Sequence, residues 1–307
     1  MKVLAAIPAR NEKKAISSVV LMAKEHVDTV LVVDDGSTDK TALLAKLAGA
    51  EVVSHKVNLG KGSAILTALK WASRRDYDVI IFLDGDGQHD PCVIPDLLEP
   101  ILYDDVDITI GSRWYHDEGL SKMPFQRVLG NWILSTTTSL SLSKVIKDSQ
   151  SGYRAFHMRT LPSFIHAMES GFAVESEMIT LADKAGFRWK EVGMSATYQN
   201  LDTSTESSWY HGIKVLGRAL HLLRLNKPVR FFGSMSIMFF LLAIGVSIWG
   251  RMYYPDEKLL PLGALYVVSS FTIIASFFMF SGIMMAGLNR ISDRIFNVIG
   301  EMMKRIR

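Results

Sequence analysis

The segment Asp78-Val79-Ile80-Ile81-Phe82-Leu83-Asp84-Gly85-Asp86-Gly87-Gln88-His89-Asp90 sets an apolar run directly before a turn dense in carboxylates. A strand that ends this way can present oxygen ligands to a hard divalent cation. Mg2+ takes one or two carboxylates and completes its shell with phosphate oxygens and water, and Mn2+ favours the same oxygen donors. Asp84, Asp86 and the amide oxygen of Gln88 are read as such a half-site, and Gly85 and Gly87 leave the backbone open to a phosphate. The plainer reading is a surface turn, for which Asp and Gly are ordinary residues.

Two more polar clusters follow apolar runs. Pro8-Ala9-Arg10-Asn11-Glu12 comes after Val3 to Ile7, and Asp34-Asp35-Gly36-Ser37-Thr38-Asp39 after Val30 to Val33. The carboxylates of the second cluster can accept hydrogen bonds from a nucleobase or ribose, while Ser37, Thr38 or Asp39 can cap the next helix. Asn58-Leu59-Gly60-Lys61-Gly62 resembles part of a phosphate loop, but a Walker motif needs glycine where His55 stands. A helix start bearing Gly and Lys still attracts phosphate through its free amides and the lysine charge.

The elements that must position these clusters alternate. Strand-like runs at Val3 to Ile7, Val30 to Val33, Glu51 to Ser54 and Val79 to Leu83 are separated by helical stretches at Lys13 to His26, Thr38 to Ala48 and Lys61 to Ser73. This pattern predicts an α/β fold with a parallel sheet covered by helices, in which ligands sit at the carboxyl ends of the strands. All three polar clusters then fall on one edge. Val106 to Ile110 reads as a further strand ending in Gly111-Ser112-Arg113, and Phe125 to Val145 as an amphipathic segment.

The rest of the chain has a different character. Val229 to Trp249 and Leu260 to Leu288 are apolar runs long enough to cross a bilayer, and apart from Arg230 at the entrance of the first they hold no charge. Arg224 and Lys227 lie before the pair with Arg230 at its entrance, and Arg290, Arg294, Lys304, Arg305 and Arg307 lie after it, so the positive-inside rule places both termini in the cytoplasm. The Arg251 to Pro261 loop lies outside. Trp209 to Leu225 mixes Lys214, Arg218 and Arg224 with Leu and Val, a pattern for lying among headgroups. The expected organisation is a cytoplasmic catalytic domain over 1–208, an interfacial helix over 209–228, a two-helix transmembrane hairpin over 229–289 and a basic tail over 290–307. A net charge of +3 is too mild to point to nucleic acid, and membrane lipids are the simpler partner. The single cysteine, Cys92, excludes a disulfide framework within the chain.

Taken in order, Ile7 to Glu12, Val33 to Asp39, Asn58 to Gly62, Asp84 to His89, Gly111 to Arg113 and Asp148 to Phe156 resemble family 2 glycosyltransferases of the Rossmann-like GT-A fold, in particular polyprenyl-phosphate sugar synthases of the dolichyl-phosphate mannose synthase type. The resemblance implies an inverting transfer of a hexose from a nucleotide sugar, GDP-mannose or UDP-glucose, to polyprenyl or dolichyl phosphate at the cytoplasmic face. It places Pro8, Arg10, Asn11, Glu12, Asp34, Asp35, Lys61, Asp84 and Gly85 around the nucleotide sugar, with Mg2+ or Mn2+ on Asp84, Asp86 and Gln88. Asp86, Arg113, Arg127 and Asp148 become the catalytic group.

Arg113, Arg127 and Arg154 would then face the acceptor phosphate, where a guanidinium fork binds two oxygens at once. A lipid phosphate is already anionic and attacks without a strong base; Asp148, Glu175 or Glu177 would serve if one is used. The chain departs from such synthases at Asn200 to Ser208, which lack a basic residue. His211, with Lys214 and Arg218, is the expected replacement.

Self-association into a homo-oligomer is also expected, since two spans make a small bundle. The competing readings are a processive polysaccharide synthase, for which the Gln-x-x-Arg-Trp acceptor motif and further spans are missing, and a non-catalytic membrane scaffold, which would have a broken metal site. A nucleotidyltransferase would need a glycine-rich basic loop after the first strand.

Overall fold

The strands form because their residues suit burial on both faces: Val3–Ala9 (β1), Thr29–Asp34 (β2) and Val79–Phe82 (β4) are almost wholly inaccessible. Glu51–Ser54 (β3) is a partly exposed edge. The computed structural model describes residues 1–115, 125–139, 142–167, 174–194, 217, 224, 227–254 and 259–305. In these, Ile108–Ser112 (β5), Arg154–His157 (β6) and Trp189–Gly193 (β7) complete a seven-stranded sheet of order β3-β2-β1-β4-β6-β5-β7.

The sheet is mixed. β1 to β4 pair in parallel and β5 pairs in parallel with β7, but β6 runs antiparallel to both β4 and β5. The carboxyl ends of the six other strands and the amino end of β6 therefore share one edge, as the pairs Ala9 with Asp34 and Phe82 with Arg154 mark.

Alternation along β1 sends Val3, Ala5, Ile7 and Ala9 to one face and Leu4 and Ala6 to the other. The first face is covered by Ile16–Ala23 (α1), Thr41–Leu47 (α2) and Ile94–Tyr103 (α4). The second is covered by Lys61–Ala72 (α3), Leu161–Ala167 (α6) and Val174–Lys184 (α7). Phe125–Ser139 (α5) is shorter than the predicted segment, whose later residues Leu142 to Lys144 form a bend.

The chain divides into two compact units, Met1–Val215 and Leu216–Arg307. In the second, Pro228–Tyr253 (α8) and Leu262–Arg305 (α9) lie against each other, with Phe239 stacked on Phe278 and Gly282 close to Phe232. Pro228–Tyr253 and Leu262–Ser292 are long and apolar enough to span a membrane, about 39 and about 46 Å at 1.5 Å per residue. Ser269, Ser270, Thr272, Ser276 and Ser281 each donate to a carbonyl four residues earlier. Their polar groups are thus satisfied within the helix, as a hydrocarbon surrounding requires.

Candidate active site

Loops at the shared edge are tied to one another before any ligand arrives. Asn11, left-handed at φ 59°, donates its amide to Ser37 Oγ (2.9 Å) and accepts the Thr38 amide on Oδ1 (2.9 Å). The Glu12 amide donates to Thr41 Oγ1 (2.8 Å). Pro8 is half-buried and Arg10 exposed beside this seam.

Asp34 ends β2 and takes the Ser37 amide (3.3 Å), while Asp35 reaches across to the next loop. Its carboxylate accepts His55 Nδ1 (2.7 Å), the Leu59 amide (2.9 Å) and the Gly60 amide (2.7 Å). Burial raises the Asp35 carboxyl, but these hydrogen bonds outweigh it and hold it below its ordinary value. Gly36 permits the contact: at φ +65° a Cβ there would lie 2.6 Å from the Val57 carbonyl carbon.

Lys61, the first residue of α3, brings its ammonium to Asp84 Oδ1 (2.7 Å) and Glu175 Oε1 (3.0 Å). Burial alone would raise Asp84, yet Lys61 above all pulls it down to about 2. Gly152 packs directly on this pair, where a Cβ would sit 2.9 Å from Lys61 Nζ and 3.1 Å from Asp84 Oδ2. Asp86 accepts the Gln88 amide (3.0 Å), and Gly85 is wedged against Ile7, Ala9 and Ile16. Glu12 faces the same acidic turn: burial, then the charges of Asp86 and Asp84, raise its carboxyl to about 7. Such mutual repulsion among carboxylates is what a cation relieves.

Among the described residues no three His, Cys, Asp or Glu side chains are grouped so as to hold a metal by themselves. The chemistry of the turn suits an ion of the Mg2+ or Mn2+ kind, which the Asp84 and Asp86 carboxylates and the Gln88 side-chain oxygen would hold, with its remaining positions left to phosphate and water.

Arg113 and Asp148 form a two-point pair, Nε to Oδ2 at 2.7 Å and Nη2 to Oδ1 at 2.8 Å, with Asp148 fully buried. The Asp148 amide is in turn held by Glu191 of β7 (2.9 Å). Asp148 thus orients Arg113, and its oxygens are engaged. Arg154 is buried among carbonyls, donating from Nε to Ser151 (2.9 Å), from Nη2 to Ser149 (2.9 Å) and from Nη1 to Glu175. Burial lowers its pKa to about 10, which leaves it charged near neutrality. Arg127 lies in the first turn of α5 with its side chain outside the described residues, and His211, Lys214 and Arg218 also lie outside them.

The sequence reading missed two histidines. His55 bridges Asp35 to Thr67 Oγ1 (2.9 Å), and its only signal was the broken phosphate-loop pattern. Buried His89 accepts the Asp84 amide on Nδ1 (3.0 Å) and stacks on Tyr153 with centroids 5.0 Å apart, while the Tyr153 hydroxyl donates to the Asp90 carbonyl (3.0 Å). The acidic turn is thereby closed from Asp84 to Asp90.

Residues 5–162 match the sequence model of Glycosyl transferase family 2. The chain belongs to this family. The UDP-N-acetylglucosamine–dolichyl-phosphate N-acetylglucosaminyltransferase of Methanococcus voltae is 30% identical, over 72% of this chain and 95% of that protein. The undecaprenyl-phosphate mannosyltransferase of Micrococcus luteus is 31% identical over 70% and 92%. Among solved structures, the glucosyl-3-phosphoglycerate synthase of Mycobacterium tuberculosis, in complex with Mn2+, UDP and phosphoglyceric acid, superposes with a TM-score of 0.52 at 22% identity, covering 72% of this chain and 77% of that one. The likeness identifies this family 2 glycosyltransferase's sheet as GT-A-like.

Proposed function

We propose that the protein moves a hexose from a nucleotide sugar to polyprenyl or dolichyl phosphate, with inversion, at the cytoplasmic face of a membrane. One observation carries the reading: Asp84 and Asp86 after β4, Lys61 at the start of α3 and Arg113 after β5 meet at one sheet edge, close enough for the Arg113 charge to act on Asp84. The names of the two relatives and the two span-length helices support a lipid-phosphate acceptor.

In this reading Asp35, Asn11 and the 57–60 loop seat the nucleoside, with Pro8, Arg10, Glu12, Asp34 and Gly85 around them. Asp84, Asp86 and Gln88 would hold Mg2+ or Mn2+ together with the diphosphate, and the ion would supply positive charge to offset that building on the leaving group. Arg113, oriented by Asp148, takes the acceptor phosphate, joined by Arg127 and His211. A phosphate oxygen, already anionic, attacks the anomeric carbon as the glycosidic bond to the diphosphate breaks, so Asp148 need not accept a proton. Arg154 is assigned to holding the 149–151 loop on α7 in place of the acceptor role its sequence position suggested. Residues 1–208 form the catalytic part and 229–289 the membrane hairpin, with both termini cytoplasmic; the basic flanks support this topology.

The test is incubation of the purified full-length protein with polyprenyl phosphate, Mg2+ or Mn2+, and, in separate reactions, labelled GDP-mannose, UDP-glucose and UDP-N-acetylglucosamine. One labelled lipid product is expected. No product with any of these donors would overturn the reading in favour of a non-catalytic scaffold.

A further inference from the structure

We propose that Lys61 is an internal counter-cation of the acidic turn: it holds Asp84 while the donor site is empty and transfers to Glu175 when a divalent cation arrives with the nucleotide. The inference rests on the reading of Asp84 as a metal carboxylate.

The ammonium bridges two carboxylates at once, 2.7 Å from Asp84 Oδ1 and 3.0 Å from Glu175 Oε1. A unit positive charge 2.7 Å from Asp84 Oδ1 repels a divalent cation that approaches the same carboxylate, so an arriving ion favours the ammonium on Glu175. The site also permits exchange. The side chains of Lys61, Asp84 and Glu175 are 40%, 29% and 17% exposed, which leaves the pair open to an incoming ion.

Glu175 gives the displaced ammonium a second seat, so the exchange strands no charge. It is a firm seat, on the first turn of α7, beside the carbonyl that takes an Arg154 donor. On the other side the backbone at Gly152 closes against Lys61 and Asp84, so the ammonium has no room to withdraw that way. Lysine suits this task because its long flexible stem carries a compact point charge with three donors, whereas arginine's planar fork would bind both carboxylates too firmly.

Mn2+ binding tests the idea, followed by the loss of the free-ion electron paramagnetic resonance signal on the full-length protein in nanodiscs. Without nucleotide, Lys61→Met should bind Mn2+ at least about fivefold more tightly than wild type, because a unit positive charge next to the ion has gone. Its affinity for UDP or GDP without metal should fall or stay level. Glu175→Gln should act in the opposite sense and weaken Mn2+ binding at least about threefold, but should change it little in the Lys61→Met background, since Glu175 acts by seating the ammonium; equal weakening in both backgrounds would be plain loss of a charge and would overturn the exchange. Opposite signs cannot come from general loosening of the fold, and melting curves of both variants check that they are folded.

Equal or weaker Mn2+ binding by Lys61→Met would make Lys61 a fixed strut and overturn the proposal. Failure of the metal reading itself looks different: wild type would take up no Mn2+ even with UDP or GDP present, and Asp84→Asn would change nothing.

Discussion

Replacing Arg154 by methionine separates two roles that sequence alone does not distinguish. If the guanidinium faced the acceptor phosphate, Arg154→Met would raise the acceptor KM and leave the fold nearly intact. The structure puts it instead among the Ser149, Ser151 and Glu175 carbonyls, with the residue only 2% exposed. A methionine fills most of the volume but donates nothing, so three carbonyls lose a charged donor. At about 1–2 kcal/mol for each bond lost, the sum is roughly 3–6 kcal/mol, and the relief of no longer burying a charge returns part of it. A net loss of about 3 kcal/mol is expected. For a unit of this size that lowers the melting temperature by about 6–12 °C. Thermal unfolding in nanodiscs, followed by tryptophan fluorescence, reads the shift. Arg154→Lys should recover a minor part, since one ammonium cannot span three carbonyls. A methionine variant that melts within about 2 °C of wild type, with a raised acceptor KM, would refute the buried-strut reasoning.

Two further outcomes follow from the same geometry. Asp148→Asn leaves Arg113 without its two-point carboxylate, so acceptor KM should rise and turnover fall, together roughly 10–100-fold in kcat/KM, while the pH profile keeps its shape; loss of an acidic limb in that profile would instead make Asp148 a base. Glu12 titrates at about 7 in the fold against an ordinary 4.5, so between these values the folded chain holds a proton the unfolded chain has released. Metal-free stability should therefore fall as pH rises from about 4.5 through 7 and level off above, and Glu12→Gln should flatten that slope in urea midpoints measured from about pH 5 to 8.

The parts of the fold that could be read in advance are those whose residues repeat a local pattern. β1, β2 and β4 are continuous apolar runs, and the polar clusters after them landed on one edge because parallel strands put their carboxyl ends together. β6 and β7 escaped notice. Arg-Ala-Phe-His is four residues with a charge at one end, and Trp-Lys-Glu-Val-Gly is half exposed, so neither carries a strand period long enough to register. Asp148 and Arg113 are 35 residues apart and Lys61 and Glu175 farther still, so which carboxylate takes which cation is decided by tertiary contact. Arg154 shows the cost of reading charge as function: a basic residue beside a motif suggested a phosphate, and only the carbonyls around it reveal a buried strut.

The antiparallel β6 explains how these distant groups come to share an edge. A parallel strand in its place would have delivered its carboxyl end there and its amino end to the far side. Because β6 is reversed, the 148–153 loop arrives at the edge through the strand's amino end, with Asp148 to orient Arg113 and Gly152 to close over Lys61 and Asp84. Arg154, the first residue of that strand, locks the same loop onto α7, whose Glu175 receives Lys61. One reversed strand thus links both sides of the site, and a disturbance at Arg154 should reach Asp84 and Arg113 together. Donor and acceptor affinities are expected to fall together in Arg154→Lys, whereas Asp148→Asn should affect the acceptor alone; measuring both constants in both variants separates this shared strut from two independent sites.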